Sequence, residues 1–438
     1  MPDYIISDTG PERAYLVGAS ERGSRPLLSV DDSLNELALL ADTAGMLVVG
    51  RATQNLNRID PATYIGAGKV EEILAAVTAA DAEVVIFDDE LSPRHQRELE
   101  KRFGEAIKIL DRSALILDIF AQHANTREGA LQVELAQYEY RLPRLTRQWT
   151  HLARQSGGAA GRGGTGGVGL RGPGETQLEV DRREIRRRIS KLRQEIEQVR
   201  MHRSRHRSQR ERAGVTLVAL VGYTNAGKST LLRALTGADV YIANQLFATL
   251  DPTTRRVELP TGRSVLLTDT VGFIQKLPTT LIVAFRATLE EITQADLLLH
   301  VVDVTHPNVL QHIETVEDTL AEIDMPSVPR VLVWNKMDLW GNNPLPPLPE
   351  DGDYIAQVAV SAEKKLGMND LLSAIETALA STMYRVKLLL PFERGDLVSY
   401  LYETASVESN QSTEEGVLLG VQMPAALYQR FKSYQVTR

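Results

Sequence analysis

Between an apolar run, VALV at 218–221, and an amphipathic one, STLLRAL at 229–235, stands the octapeptide GYTNAGKS, Gly222 to Ser229. Glycines at its first and sixth positions let the backbone leave a strand and enter a helix with its amides facing inward. The helix N-terminus adds free N–H groups and the positive end of its dipole, so the turn forms an anion cradle that an inward side chain would block. A strand that feeds a helix in this way belongs in a parallel sheet with helices on its faces. The spacing G-x-x-x-x-G-K-[ST] makes Lys228 a point charge for the β and γ phosphates of a nucleotide and the Ser229 hydroxyl a ligand to Mg²⁺.

Three further motifs follow, each at the carboxyl end of a predicted strand. Asp269, Thr270, Val271 and Gly272 come at the end of SVLLTDT (264–270). Asp269 is expected to hold the metal through water, and Gly272 to donate its amide to the γ phosphate. Asn335, Lys336, Met337 and Asp338 end RVLVWNK (330–336). Asp338 can accept from both N1–H and the 2-amino group of guanine, while Asn335 and Lys336 brace the base pocket. Adenine lacks that donor pair and leaves a carboxylate unpaired, a penalty that can reach roughly 10⁴-fold. Ser361, Ala362 and Glu363 supply backbone amides near guanine O6. Together these motifs predict a guanine-nucleotide site whose phosphate side is Gly222, Tyr223, Thr224, Asn225, Ala226, Gly227, Lys228, Ser229 and Thr230.

Phe247, Ala248, Thr249, Leu250 and Asp251 lie between the first two motifs. A threonine here must reach Mg²⁺ when the γ phosphate is present and release it after hydrolysis. Thr249 is the choice, giving a metal set of Ser229, Thr249 and Asp269; Thr253 and Thr254, after Pro252, read as turn residues. Phe273 stands where many switch GTPases carry a water-orienting glutamine, and a phenyl ring cannot make that hydrogen bond. Intrinsic hydrolysis of GTP to GDP is therefore expected to be slow without outside help. Asn225 either helps hold K⁺ beside the phosphates or braces the loop; with Lys228, Thr249 and Gly272 it completes the expected catalytic set.

At 438 residues and 43% hydrophobic content, the chain exceeds one core. The absence of cysteine excludes disulfides and thiolate metal sites, which suits a reducing cytoplasm. MPDYIISDTG lacks the pattern of a secretory signal, and no apolar stretch approaches the ~20 residues that span a bilayer. A cytoplasmic protein without membrane partners, monomeric when free, is expected.

The expected fold class is a multidomain α/β protein. Residues 1–125 form an N-terminal α/β domain, with strands at MLVVG (46–50), EVVIFDD (83–89) and IKILDR (107–112) and helices at 69–80 and 92–104. There YIGAGKVEEI lacks the spacing that wraps a phosphate and reads as a strand–turn–helix junction rather than a second nucleotide site. Residues 126–213 form a long antiparallel helical hairpin, 214–384 a doubly wound P-loop G domain, and 385–438 a small α+β C-terminal domain.

The hairpin rests on two seams. Leu131, Leu135, Tyr138, Leu142, Leu145, Trp149 and Leu152 step by four and three, with Pro143 expected to kink or locally break the helix. Leu178, Ile185, Ile189, Leu192, Ile196 and Val199 resume the rhythm, and a helix over 176–212 would run up to ~55 Å. Between them, ten of the eighteen residues from Gly157 to Gly174 are glycine, and this tract is the tip. A strand out and back could extend it up to ~30 Å. From Asp181 to Arg212 twelve Arg and one Lys face five acids, a charge of +8 in a chain of net −8, so the remainder carries −16. Such asymmetry points to a polyanionic partner, or else to a solvated charged helix. Arg162 and Arg171 at the tip, with Arg182, Arg183, Arg186, Arg187 and Arg188 on the arm, are the candidate RNA contacts.

With LILDIFAQHANTREGALQVELAQ (115–137), GLRGPGETQLEVDRR (169–183), GYTNAGKST, QLFATLDPT (245–253) and DTVGFIQKLP (269–278) in view, the chain resembles the HflX family, translation-associated GTPases of the TRAFAC class. The match covers roughly residues 40–385. The resemblance implies a cytoplasmic GTPase that binds the large ribosomal subunit and its rRNA, is stimulated by it, and splits stalled or stressed ribosomes into subunits. It also implies that the hairpin loop reaches towards the peptidyl-transferase centre; the family's loop is often shorter, and GAAGRGGTG stands here as an insertion. A second reading, a GTP-driven enzyme that remodels or modifies rRNA or tRNA, needs another active site, and no zinc cluster, thiol or methyl-donor fingerprint supplies one.

Overall fold

A computed structural model of the chain describes residues 10–23, 26–145, 177–212, 216–237, 246–277, 292–323, 328–341, 343–347, 354–381, 384–423 and 425–436. The chain forms two compact units, Met1–Gln198 with Lys276–Ala284 and Val199–Gln275 with Phe285–Arg438. Among the described residues no helix is long and apolar enough to cross a membrane.

The first unit holds a four-stranded parallel sheet of β1 (Arg13–Glu21), β2 (Leu47–Leu56), β3 (Val84–Phe87) and β4 (Lys108–Asp111), in the order β2-β1-β3-β4. The all-apolar VVIF of β3 is fully buried, as expected of a strand covered on both faces. Helices α1 (Val30–Thr43), α2 (Ala67–Ala79), α3 (Pro93–Phe103) and α4 (Arg112–His123) alternate with the strands. Ser29, Ser92 and Asp111 start three of them by accepting a backbone N–H at 2.8–3.2 Å, and Pro93 fills a first-turn position whose missing N–H costs nothing. The expected strands at 46–50, 83–89 and 107–112 and both expected helices are present. The amide of Gly66 donates to Gln54 Oε1 at 2.9 Å, so the GAGK turn is closed by a side chain, in keeping with a junction.

At the carboxyl end of β3, Asp88 is buried with Ser33 at 2.7 Å and the Arg112 guanidinium at 2.8 Å; Arg112 also pairs with Glu36. Lys276, which belongs to this unit, pairs with Asp88 and Asp89. Burial pushes the Asp88 carboxyl up, but Arg112 and Lys276 outweigh it and hold it below the usual range.

The helical pair is α5 (Arg127–Arg141), capped by Thr126, and α6 (Gln177–Arg212). Pro143 ends α5 in a 3₁₀ turn over Leu142–Arg144. Leu131, Leu135, Ile189 and Leu192 form a buried cluster, with Tyr138, Leu142, Ile185 and Ile196 packed against it. Each fully buried aliphatic side chain there contributes about 1.5–3 kcal/mol. Arg188 and Glu134 add a two-pronged ion pair at 2.7–2.8 Å, and Arg193 pairs with Glu139 at 2.8 Å. Trp149, Leu152, Arg162, Arg171 and the glycine tract lie outside the described residues.

The second unit contains a six-stranded sheet in the order β10-β9-β8-β5-β7-β6. Its strands are β5 (Leu217–Val221), β6 (Thr253–Glu258), β7 (Ser264–Asp269), β8 (Leu297–Asp303), β9 (Arg330–Asn335) and β10 (Tyr354–Ala359). All neighbours pair in parallel except β6, which runs antiparallel to β7 at the edge. Val331 and Val333 join one buried cluster, with α7 (Lys228–Thr236) and α9 (Met368–Ser381); Leu332 and Trp334 join another, with α8 (Val309–Glu322). Alternate residues of one strand point to opposite faces, so helices cover both sides of the sheet. A three-stranded antiparallel sheet of β11 (Tyr384–Leu390), β13 (Gly416–Met423) and β12 (Ser406–Thr413) follows, packed with α10 (Gly395–Thr404) and α11 (Ala425–Phe431) around Leu388, Leu401, Leu419 and Phe431. The doubly wound fold class holds, with a small α+β layer after it.

Candidate active site

The predicted site residues converge at the carboxyl ends of β5, β7 and β9. Gly227 has a φ of +94°, and a β-carbon there would lie 2.3 Å from Asn335 Nδ2; only glycine lets the loop pass under the base-site asparagine. Asn335 Nδ2 in turn donates to Ala226 O at 2.8 Å, and Asn335 Oδ1 accepts from Ala362 N at 3.0 Å. One side chain thus ties three of the four motifs together.

Lys228 Nζ is buried and donates to Gly222 O at 3.0 Å and Tyr223 O at 2.8 Å. Burial draws its pKa down to about 8, partly opposed by Asp269. Ser229 Oγ donates to Asp269 Oδ2 at 2.6 Å and lies 2.8 Å from Thr249 Oγ1. Asp269 is fully buried; burial pushes its carboxyl up, against Lys228 and the two hydroxyls. Its second oxygen, Oδ1, is buried with no hydrogen-bond partner among the described residues. A buried, orphaned carboxylate oxygen beside two hydroxyls is a hard-oxygen donor set, the chemistry that suits Mg²⁺.

Thr270 is buried and donates to Leu220 O at 2.6 Å, fixing the turn that leads through Val271 to Gly272. Phe247 and Leu250 are buried, with Ala248, Thr249 and Asp251 half-buried around them. Asn225 is exposed at the crown of the loop with φ +59°, while Tyr223, Thr224 and Ala226 are buried and Thr230 is half-buried. Phe273 is also buried, so its ring is a packing element. On the base side, Ser361 Oγ donates to Asp338 Oδ1 at 2.6 Å and itself accepts from Lys364 N at 3.1 Å; Met337 packs beside Trp334 and Glu363 is exposed.

Thr253 and Thr254 are not turn residues. They open β6, opposite Asp269 and Thr268, and Thr254 Oγ1 lies 2.9 Å from Thr268 Oγ1. Cross-strand pairing overrides the turn signal of Pro252. On the arm, Arg183, Arg186 and Arg187 are exposed. Arg182 is half-buried and donates to Leu145 O at 3.4 Å, and Arg188 is held by Glu134. Asp303, which the sequence reading left out, pairs with Lys336 at 2.7 Å. Burial pushes Asp303 up, but the Lys336 ammonium and Thr305 hold it below the usual carboxylate range. Its signal was available: it ends β8 on the same sheet edge as the four motifs.

This sheet, loop and base pocket define a P-loop GTPase domain, a GTP hydrolase. Family models match consecutively along the chain: a GTP-binding GTPase N-terminal region at 31–121, a GTP-binding GTPase middle region at 123–210, a 50S ribosome-binding GTPase at 217–336, and an HflX C-terminal domain at 352–430. The chain is 46% identical to GTPase HflX of Caldanaerobacter subterraneus, over 93% of this chain and 91% of that one. It is 44% identical to GTPase HflX of Escherichia coli, over 91% of each. The chain belongs to the HflX family of GTPases. Among solved structures it is similar, at 22% identity and a TM-score of 0.42, to a GTP-binding protein of Sulfolobus solfataricus in complex with GDP, over 84% of this chain and 99% of that one.

Proposed function

We propose that the protein is a cytoplasmic, GTP-gated factor that docks on the rRNA of the large ribosomal subunit and separates stalled or stressed ribosomes into subunits. The observation that carries the nucleotide half of this reading is Ser229 Oγ within hydrogen-bond reach of both Thr249 Oγ1 and Asp269 Oδ2, beside the Lys228 ammonium held on two loop carbonyls. The ribosome half is supported by the resemblance of residues 217–336 to the 50S ribosome-binding GTPase model and by the +8 charge of residues 181–212 in an otherwise acidic chain.

In this reading the loop amides and Lys228 bind the phosphates, and Asn335, Asp338 and the Ser361–Glu363 turn read guanine. Ser229, Thr249 and Asp269 hold Mg²⁺. When bound, the ion neutralises charge on the β and γ phosphates. Lys228, pinned on two loop carbonyls, and Gly272, beside it, stabilise the charge that develops on the γ phosphate. Thr249 sits on Ser229 without a backbone strand to fix it, which suits a residue that changes partners with nucleotide state. Phe273 offers no group to orient water, so the docked ribosome completes the site. The functional division follows the four segments: an N-terminal domain at 1–125, a docking arm at 126–213, the switch at 214–384 and an accessory layer at 385–438.

Incubation with 70S ribosomes and GTP, followed by a sucrose gradient, tests this reading. Conversion of the 70S peak to 50S and 30S is expected. Intact 70S particles alongside undiminished GTP turnover would refute the splitting role.

A further inference from the structure

Tyr223, the second residue of the phosphate loop, is held from three directions. Its backbone pairs in parallel with Phe273: Phe273 N–H donates to Gly222 O at 3.1 Å and Thr224 N–H donates to Phe273 O at 2.8 Å. Its ring lies flat on the imidazole of His312, with centroids 3.7 Å apart and planes within 3°. Its hydroxyl accepts the backbone N–H of Gln275 at 3.0 Å. His312 is itself backed by His306, ring to ring at 4.1 Å. Burial and His306 pull His312 down to about 3, against Asp303, so the ring under Tyr223 is uncharged at neutral pH and stacks without a buried cation.

These contacts bear on the residue next to the phosphates. Bonds at residues 273 and 275 hold the chain that leaves Gly272 against the loop. A β-carbon on Gly272 would come within 2.9 Å of Thr224 Cα and 3.1 Å of Lys228 Nζ, so this glycine stands directly beside the phosphate-binding lysine. A side-chain bond to this short stretch of backbone comes from a rigid aromatic whose direction is set by its stack.

We propose that Tyr223 is a positioning residue for GTP hydrolysis: braced by His312, its hydroxyl holds the Gln275 amide and thereby sets where Gly272 stands beside Lys228. A tyrosine suits this work because two side-chain torsions fix the hydroxyl once the ring is stacked. The inference rests on the reading of Lys228 and Gly272 as γ-phosphate groups.

The test uses full-length protein, single-turnover GTP hydrolysis and GDP affinity measured on the same samples. Y223F keeps the ring and its stack but removes the acceptor. Its hydrolysis rate is expected to fall about fivefold, the worth of one typical hydrogen bond, with the Kd for GDP within about twofold of the parent. H312A should slow hydrolysis similarly, and H312F, which restores a flat partner, should rescue it. A Y223F rate within twofold of the parent, or above it, overturns the proposal, as does a loss of GDP affinity in step with the rate. H312F as slow as H312A overturns the bracing role of the ring. K228A separates the two layers: if it still hydrolyses GTP, the phosphate reading itself fails; if it is inert while Y223F is unimpaired, only the role of Tyr223 fails.

Discussion

Asp338 shows how a single side chain in this site is pre-set by its neighbours. Lys364 N–H donates to Ser361 Oγ, which directs the serine's own proton onto Asp338 Oδ1. One carboxylate oxygen is thereby fixed, and in the proposed function the other reads the base. In Asp338→Asn the serine keeps an oxygen at the Oδ1 position, which places the new amide nitrogen where Oδ2 stood. A donor there matches the 2-oxo group of xanthine and opposes the 2-amino group of guanine. GDP affinity should fall by roughly 10² to 10⁴-fold while XDP binding rises above it, measurable by competition with a fluorescent nucleotide. Equal losses for both bases would mean that Asp338 supports the loop and does not read the base. The residues that brace the pocket, Asn335 and Asp303, were differently visible: Asn335 belongs to a recognisable motif, whereas Asp303 has only its place at the end of a strand to mark it, and its pairing with Lys336 comes from the neighbouring strand.

The elements differ in how much of their identity is local. The helical arm announces itself in sequence because its 4,3 spacing of apolar residues is a property of one helix, and the buried cluster at Leu131, Leu135, Ile189 and Leu192 lies on that spacing. Its charges are another matter. Of the arginines read as RNA contacts, Arg188 is engaged by Glu134, whereas Arg186 and Arg187 are exposed. Replacing Arg186 and Arg187 by glutamine should therefore weaken binding to large subunits and reduce the slope of log K against log salt by about one to two, with GTP affinity unchanged. Arg188→Gln should act mainly on the arm itself, by about 1 kcal/mol or less, since the pair is over a third exposed on the arginine side. A salt slope insensitive to the double substitution would reduce the basic face to a solubility device. Strands follow the same division. VVIF and LVALV declare themselves by continuous apolar sequence, but β6, TTRRVE, is mostly polar and becomes a strand by pairing with β7. Helix α4 is apolar around most of its circumference and so offers no clean period to read.

At the scale of the whole molecule, the proposed function requires that nucleotide state change what the protein binds. Thr249 and Gly272, which that proposal makes the reporters of the γ phosphate, lie on segments that meet Ser229 and Lys228, and differential affinity between states is all that can drive such a switch. Calorimetry with isolated large subunits should show attachment at least tenfold tighter with a non-hydrolysable GTP analogue than with GDP, about 1.4 kcal/mol. Equal affinities for the two nucleotide forms and the nucleotide-free protein would leave the gate without a driving force. The sequence alone determined the order of the four nucleotide motifs, the doubly wound class of the sheet, the apolar seams of the arm and its reversal of charge, because each is written in local spacing that a strand, a loop or a helix reads within a few residues. Only the tertiary structure decided that β1 stands between β2 and β3, that Thr254 is a strand residue, that Asp303 serves Lys336, and that Tyr223 rests on His312 and holds Gln275. Those facts depend on pairing and packing between residues distant in the chain, and such contacts exist only after the sheet has brought its strand ends to one edge.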